Sequence, residues 1–132
     1  MKYILMMSQP YDQGCFRSRN WKPEEFEAHM AHMHELNREL IRRGEMVAVE
    51  ALSPPSESRF VSAGKGGVPA ITDGPFPETK EFLAGYWIVD VETPERAYEI
   101  AARASAAPGE GGAPLDMPLE VRRVMSIGVP EL

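Results

Sequence analysis

The stretch from residue 83 to 91, LAGYWIVDV, is the strongest strand signal in the chain, and it is apolar on both of its faces. Side chains alternate along a strand, so one face carries Leu83, Gly85, Trp87, Val89 and Val91, and the other carries Ala84, Tyr86, Ile88 and Asp90. A strand of this kind needs a cover on each side. One layer of helices supplies only one cover, so we expect a second layer on the opposite face.

The remaining patterns place strands and helices in an order that fits one domain of 132 residues, 1–132. We predict strands at 2–7, 46–52, 58–63, 68–72, 83–91 and 119–125, with helices at about 23–43 and 94–105. Pro23 and Pro94 suit the first position of a helix, and Gly44 suits the position after one. Residues 105–118, SAAPGEGGAPLDMP, are predicted to form a flexible loop.

This order predicts the fold class. It is α+β, a ferredoxin-like sandwich with an antiparallel sheet and both helices on one face. The uncovered face of that sheet is predicted to be as apolar as the covered one. We therefore predict a homodimer that pairs through its sheet faces, because a second copy is the simplest cover.

Charge and cysteine content exclude several classes of partner. The chain has 14 basic and 20 acidic residues, a net charge of −6, so nucleic acid is not an expected partner. No apolar run is long enough to cross a membrane. Cys15 is the single cysteine, which forbids an intrachain disulfide and favours a cytoplasmic location.

Three histidines lie on the first predicted helix, but at about 100° per residue they point in different directions. His29 falls on the apolar face, whereas His32 and His34 fall outside it and are expected to be solvated. The three side chains therefore do not converge on one metal ion. We predict no metal site and no cofactor.

Two polar residues, His29 and Asn37, lie on the face of the first helix that we expect to point inward. They are either satisfied by core hydrogen bonds or they line a polar pocket between helix and sheet. Asp73 stands before Gly74, where its carboxylate caps a turn or sits at the mouth of such a pocket. Our hypothesis is that His29 and Asp73 are catalytic and share a pocket with Tyr86, since an aspartate orients and activates a histidine.

The residues after Asp73 supply further candidates for ligand binding. Phe76 either plugs the turn onto the core or faces a ligand, and Lys80 is either solvated or meets an anionic ligand. The predicted ligand-binding residues are Asn37, Phe76, Lys80 and Tyr86.

The segment 72–81, TDGPFPETKE, together with G85-Y86 and the closing L119-E120-V121-R122, resembles the YCII-related domain family, in particular its DGPF branch. The opening MKYILMM is also similar to that branch. The resemblance implies a dimeric α+β barrel built from ferredoxin-like halves. It also implies a cleft that holds a His–Asp pair in some branches, and genes that neighbour extracytoplasmic-function sigma factors.

Two classes of function follow. The first is a small cofactor-independent enzyme that uses His29 or Asp73 as acid or base on a small organic molecule in a helix–sheet cleft. The alternative is a non-catalytic small-molecule-binding or regulatory protein, linked by the resemblance to a sigma factor. Converging titratable groups would favour the enzyme, and a His29 hydrogen-bonded to backbone in an apolar pocket would favour the binding protein.

Overall fold

A computed structural model describes residues 1–10, 21–73 and 81–126. The elements are β1 Lys2–Pro10, α1 Pro23–Arg42, β2 Met46–Ala51, β3 Arg59–Ser62, β4 Ala70–Asp73, β5 Glu81–Asp90, α2 Pro94–Ser105 and β6 Leu119–Arg123. Short 3-10 turns occupy Pro55–Glu57 and Glu110–Gly112. The predicted elements are all present. The largest difference lies in β1, which runs three residues past its predicted end. β4 begins two residues late, β5 begins two residues early and β6 ends two residues early.

Four strands form one antiparallel sheet in the order β2-β5-β1-β6. The two β–α–β units, β1-α1-β2 and β5-α2-β6, contribute strands to this order alternately, which is the ferredoxin-like arrangement that the sequence predicts. Strands β3 and β4 form a separate two-stranded sheet. The fold is therefore an α+β sandwich, as predicted, with a hairpin inserted between β2 and β5.

The core lies between the helices and one face of the sheet. Along β1 the buried residues alternate with partly covered ones, so that Tyr3, Leu5, Met7 and Gln9 face the helices. The sequence predicts a first strand buried on both faces, but in the structure only its helix-facing side is fully buried. In β5, Trp87 is 6% exposed and belongs to the helix-facing core, whereas Tyr86 lies on the opposite face.

The helix ends form as the local sequence predicts. Lys22 N–H donates to the Glu25 carboxylate across the first turn of α1. Gly44 follows the helix with a φ of 70°, in the left-handed region. At the start of α2, the Thr93 hydroxyl accepts a hydrogen bond from the Arg96 N–H.

The inward face of α1 is a narrow buried stripe. Its buried residues are His29, Met33, Leu36 and Leu40, spaced by three or four positions. Ile41 is apolar but 64% exposed. It is one position after Leu40, so its side chain points about 100° away from that of Leu40 and outside the buried stripe.

Charged and polar bonds hold α1 and α2 together. Arg96 binds the Glu45 carboxylate through two parallel hydrogen bonds of 2.9 Å each. Arg103 binds Glu39, and the His32 Nε2 is 2.7 Å from the backbone carbonyl of Arg103. His32 is therefore partly buried at the helix interface rather than solvated as expected, whereas His34 is exposed.

The second face of the four-stranded sheet is apolar at its centre and no helix of the described ranges lies on it. Its central residues are Ile4 and Met6 of β1 and Tyr86 and Ile88 of β5, all partly exposed. Ala48 of β2 extends this surface, which we call the open sheet face. The apolar character that the sequence predicts for both faces is thus present.

Candidate functional site

His29 is the most buried histidine of the described residues, at 5% exposure, and it lies on the helix–sheet side of α1. Its Nδ1 is 3.0 Å from the backbone carbonyl oxygen of Pro108, which follows α2. A carbonyl oxygen only accepts hydrogen bonds, so Nδ1 carries the proton and donates. In the neutral ring, Nε2 then carries the lone pair, which is the form a general base requires.

A compact group of residues surrounds this imidazole. The Trp21 ring meets the His29 ring edge-on, with centroids 5.3 Å apart. Gly109 lies against Trp21 and Leu115 so closely that a Cβ atom there would stand 2.6 Å from a Leu115 methyl carbon. We call Trp21, His29, Pro108, Gly109 and Leu115 the His29 cluster.

The segment that carries Pro108 is held by backbone bonds. Gly109 N–H donates to the Ala113 carbonyl and Leu115 N–H donates to the Ala107 carbonyl, at 2.8 and 2.9 Å. Gly111 N–H also donates to the Glu25 carboxylate of α1, a bond that lowers the pKa of that carboxyl group. The sequence predicts a flexible loop at 105–118. The structure gives this loop internal bonds and fixes it to α1 at two points.

The electrostatic surroundings keep His29 neutral. Burial lowers the pKa of the His29 imidazole below its usual value, and the nearby His32 acts in the same direction. The Pro108 carbonyl opposes this shift, since it stabilises the charged ring through its hydrogen bond. At neutral pH the imidazole is therefore an uncharged group that is able to accept a proton.

Gln9 is a polar residue of the same region that the sequence reasoning missed. It is 1% exposed, and its side-chain oxygen Oε1 makes no hydrogen bond within the structure as described. An unpaired buried amide oxygen is costly, and nearly all such groups in folded proteins have a partner. The alternation of buried and partly exposed residues along β1 is the sequence signal that indicates a buried Gln9. Gln9 falls on the same face as Tyr3, Leu5 and Met7 once the strand is extended beyond residue 7.

The topology brings Gln9 and the His29 cluster to the same end of the sandwich. The last residues of β1 pair with the first residues of β5, and Gln9 stands opposite Phe82, which is also buried. α1 follows the end of β1, so the beginning of α1 lies at that end. α2 follows the opposite end of β5 and runs back along the sheet, so the end of α2 lies there too. The end therefore collects one neutral imidazole, one unsatisfied amide oxygen and two aromatic rings, Trp21 and Phe82.

Asn37 does not line this end. Its Oδ1 accepts a hydrogen bond of 2.8 Å from the indole N–H of Trp87. Of the two interpretations that the sequence leaves open, a satisfied core hydrogen bond is the one that describes Asn37.

Asp73 lies in different surroundings from His29. It ends β4, its side chain is 86% exposed, and its carboxylate forms an ion pair of 3.2 Å with Arg59 on the neighbouring strand. The described contacts within one chain do not join it to His29. The backbone carbonyl of Pro108 occupies the Nδ1 position that an orienting aspartate would take.

The other predicted ligand-binding residues divide into two groups. Tyr86 lies on the open sheet face, on the side away from the helices. Phe76 and Lys80 lie outside the described residues, as does Gly74. A shared pocket of His29, Asp73 and Tyr86 is thus not formed by the described contacts of a single chain, and it stays a prediction.

Two further findings limit the chemistry of the described ranges. No group of three or more His, Cys, Asp or Glu side chains there is placed to hold a metal ion. Neither helix combines the length and the apolar content that crossing a membrane requires.

Comparison with known proteins shows the family of the chain. The family model described as the YCII-related domain matches residues 1–112, which include both helices and five of the six strands. The chain therefore belongs to the YCII-related domain family. It is also similar to an uncharacterized protein of Rhizobium meliloti (strain 1021), with 30% identity over 87 residues, 66% of this chain and 69% of that protein.

Proposed function

We propose that this protein binds a small organic molecule beside His29, between α1 and the end of the sheet, and that His29 acts on the molecule as a general base. The observation that carries the proposal is that a neutral, buried imidazole and an unsatisfied buried acceptor, Gln9 Oε1, lie at the same end of the sandwich. A ligand that donates an O–H or N–H group would supply the bond that Gln9 lacks.

The proposed chemistry is a proton transfer. The Nε2 lone pair of His29 accepts a proton from an acidic C–H, O–H or N–H bond of the ligand, and the electron pair of that bond stays on the ligand. The ring then becomes an imidazolium, and its Nδ1–H bond to the Pro108 carbonyl strengthens because the donor is charged. This bond offsets part of the effect of burial, which disfavours the charged ring.

Asp73 enters the proposal as a residue of the mouth of this site. β4 ends at Asp73 and β5 begins at Glu81, at the end of the sheet where Gln9 and Phe82 lie. Phe76 and Lys80, which lie between Asp73 and Glu81 in the sequence, stay in the proposal as residues that contact the ligand. The link to a sigma factor rests on the resemblance alone.

We further propose that the working form is a homodimer joined through the open sheet faces, in a cytoplasmic setting consistent with the single cysteine. The partly exposed Ile4, Met6 and Ile88 support this, since an apolar surface of this kind is normally covered.

Ligand-observed NMR with a library of small neutral amides, phenols and hydroxyketones, the last with an acidic C–H bond beside the carbonyl, tests the binding step. We expect compounds that bind the wild-type protein and bind Gln9→Leu at least about tenfold more weakly, because the substituted side chain cannot accept a hydrogen bond. His34→Gln is the matched control, since His34 is exposed. Compounds that bind wild type and Gln9→Leu equally well would contradict the proposed site.

Proton exchange of the bound compounds in D₂O tests the catalytic step. A general base accelerates exchange at the acidic C–H bond, so we expect exchange with wild type and its loss in His29→Gln. Binding without accelerated exchange would identify the protein as a non-catalytic binding protein. That second function is favoured by one observation, the bond of His29 to backbone rather than to a carboxylate.

A further inference from the structure

Among the described elements, the β3–β4 hairpin is exposed along its whole length. It forms its own two-stranded sheet, and every residue from Ser56 to Asp73 is exposed. An isolated two-stranded hairpin is only marginally stable in water, because it buries too little apolar surface. The regular strand pairing of this hairpin therefore indicates that another surface packs against it.

The position of the hairpin in the topology is also unusual. β2 and β5 are antiparallel neighbours, and their pairing reaches Ala51 opposite Gly85, with Leu52 N–H bonded to the Ala84 carbonyl. A turn of a few residues joins such neighbours. The chain instead uses residues 52–80 and places the hairpin outside the sandwich.

One face of the hairpin has the composition of an interface. Val61 and Ile71 stand opposite each other across the two strands, and each is 62% exposed. Beside them lies the Arg59–Asp73 ion pair, whose opposite charges add no net charge to this side of the hairpin. This face, the Val61–Ile71 face, is therefore apolar at its centre and carries no net charge, and it complements a surface that is apolar as well.

The total surface of the chain indicates how large the missing cover is. The accessible surface is 9163 Å² for a mass of 14.7 kDa. A compact monomer of that mass exposes about 6,900 Å², so the excess is about 2,200 Å² per chain. For two chains the excess is about 4,400 Å², which lies in the range of roughly 2,000–5,000 Å² that obligate homodimers bury in total.

We infer that the β3–β4 hairpin is an arm that packs its Val61–Ile71 face against a second copy of this chain. The inference rests on the proposed homodimer and extends it, since the open sheet face alone does not cover the hairpin. A two-fold axis lets each chain offer both an arm and an apolar surface, so two identical contacts form at once.

Analytical ultracentrifugation over a concentration series tests the arm. The double variant Val61→Glu/Ile71→Lys removes the apolar pair but keeps the local net charge. We expect its dimer dissociation constant to be at least about tenfold higher than that of the wild type. Ile41→Glu is the matched control, because Ile41 is exposed to a similar degree, 64%, on α1. It should change the dissociation constant by less than about twofold. Circular dichroism of each variant verifies that the sandwich has folded.

Isotope-filtered NOEs in a mixture of ¹³C-labelled and unlabelled chains identify the surface that meets the hairpin. Intermolecular NOEs from the Val61 and Ile71 methyl groups would support the arm. A dimer whose intermolecular NOEs come only from Ile4, Met6 and Ile88 would overturn the arm and leave the proposed dimer in place. A wild-type protein that stays monomeric would overturn both.

Discussion

The indole N–H of Trp87 donates to Asn37 Oδ1 over 2.8 Å, and this bond joins the centre of β5 to the middle of α1. Trp87 is 6% exposed, so its N–H has little access to water and needs a protein acceptor. Asn37 supplies the acceptor from a helix face that is otherwise apolar. The polar residue that first suggested a pocket is thus part of the packing between helix and sheet.

Replacing Asn37 by Leu should destabilise the protein by about 1–3 kcal/mol, because the Trp87 N–H is left without a partner. Urea denaturation followed by tryptophan fluorescence measures the loss. Arg38→Ala is the control, since Arg38 is exposed and its change should stay within about 0.5 kcal/mol. An Asn37→Leu protein as stable as wild type would contradict the structural role of this bond.

His29 should make the protein less stable as the pH falls from about 6.5. Burial lowers the pKa of His29 in the folded state, so in this range the unfolded chain binds a proton that the folded chain does not. The loss begins at the unfolded pKa and levels off below the folded pKa.

Denaturation at a series of pH values checks this dependence. His29→Gln should flatten the curve below pH about 6.5, and His34→Gln should leave it as in wild type. NMR titration of the His29 ring gives its pKa directly. A value at or above that of an unfolded histidine would contradict the expectation.

The Glu45–Arg96 pair should contribute stability that is lost in acid. The guanidinium of Arg96 lowers the pKa of the Glu45 carboxyl group by direct hydrogen bonding. This contribution is present above the ordinary glutamate pKa of about 4.3 and declines as the pH falls through the lower, folded value. At pH 7 we expect Glu45→Gln to cost about 2 kcal/mol, because the Arg96 side chain is 14% exposed and loses its bidentate acceptor.

Thermal denaturation at pH 7 and pH 3 measures the difference. Glu35→Gln is the matched control, since Glu35 is exposed and its ion pairs with Arg38 and Arg42 are 3.6 Å long. Its effect should be below about 0.5 kcal/mol. An equal effect of the two substitutions would show that the Glu45–Arg96 pair is no stronger than a surface ion pair.

Gly85→Ala should separate β2 from β5. A Cβ atom at position 85 would stand 2.9 Å from the backbone carbonyl oxygen of Glu50, an atom that cannot rotate away. We expect a loss of about 1–3 kcal/mol from overpacking. Amide hydrogen exchange should become faster in β2, and Ala84→Ser, one position earlier, should leave exchange there unchanged. Unaltered exchange in Gly85→Ala would contradict the close approach.

The local sequence predicted the elements well because their signals are local. Pro23 and Gly44 bound α1, and Thr93 and Pro94 begin α2, through bonds between residues only a few positions apart. The apolar pattern of β5 likewise predicted a sheet with two apolar faces. The fold class follows from the order of these elements.

The site was harder to predict because its contacts are not local. Asn37 meets Trp87, and His29 meets Pro108, through the register of helix against sheet, which no short pattern specifies. Asp73 likewise meets its partner through the pairing of β3 with β4, which places it opposite Arg59, and its link to His29 stays a prediction. Gln9 was missed because β1 extends three residues beyond the predicted end.

The central position of β1 has a consequence for synthesis on the ribosome. Lys2 pairs with Asp90, and Tyr3 pairs with Arg123, so β1 finds its partners only after β5 and then β6 have emerged. Until then its apolar residues stay unpaired. Such distant pairings slow folding and leave a strand open to aggregation. The four-stranded sheet should therefore close only after β6 has emerged, with β1 as the segment that chaperones shield until then.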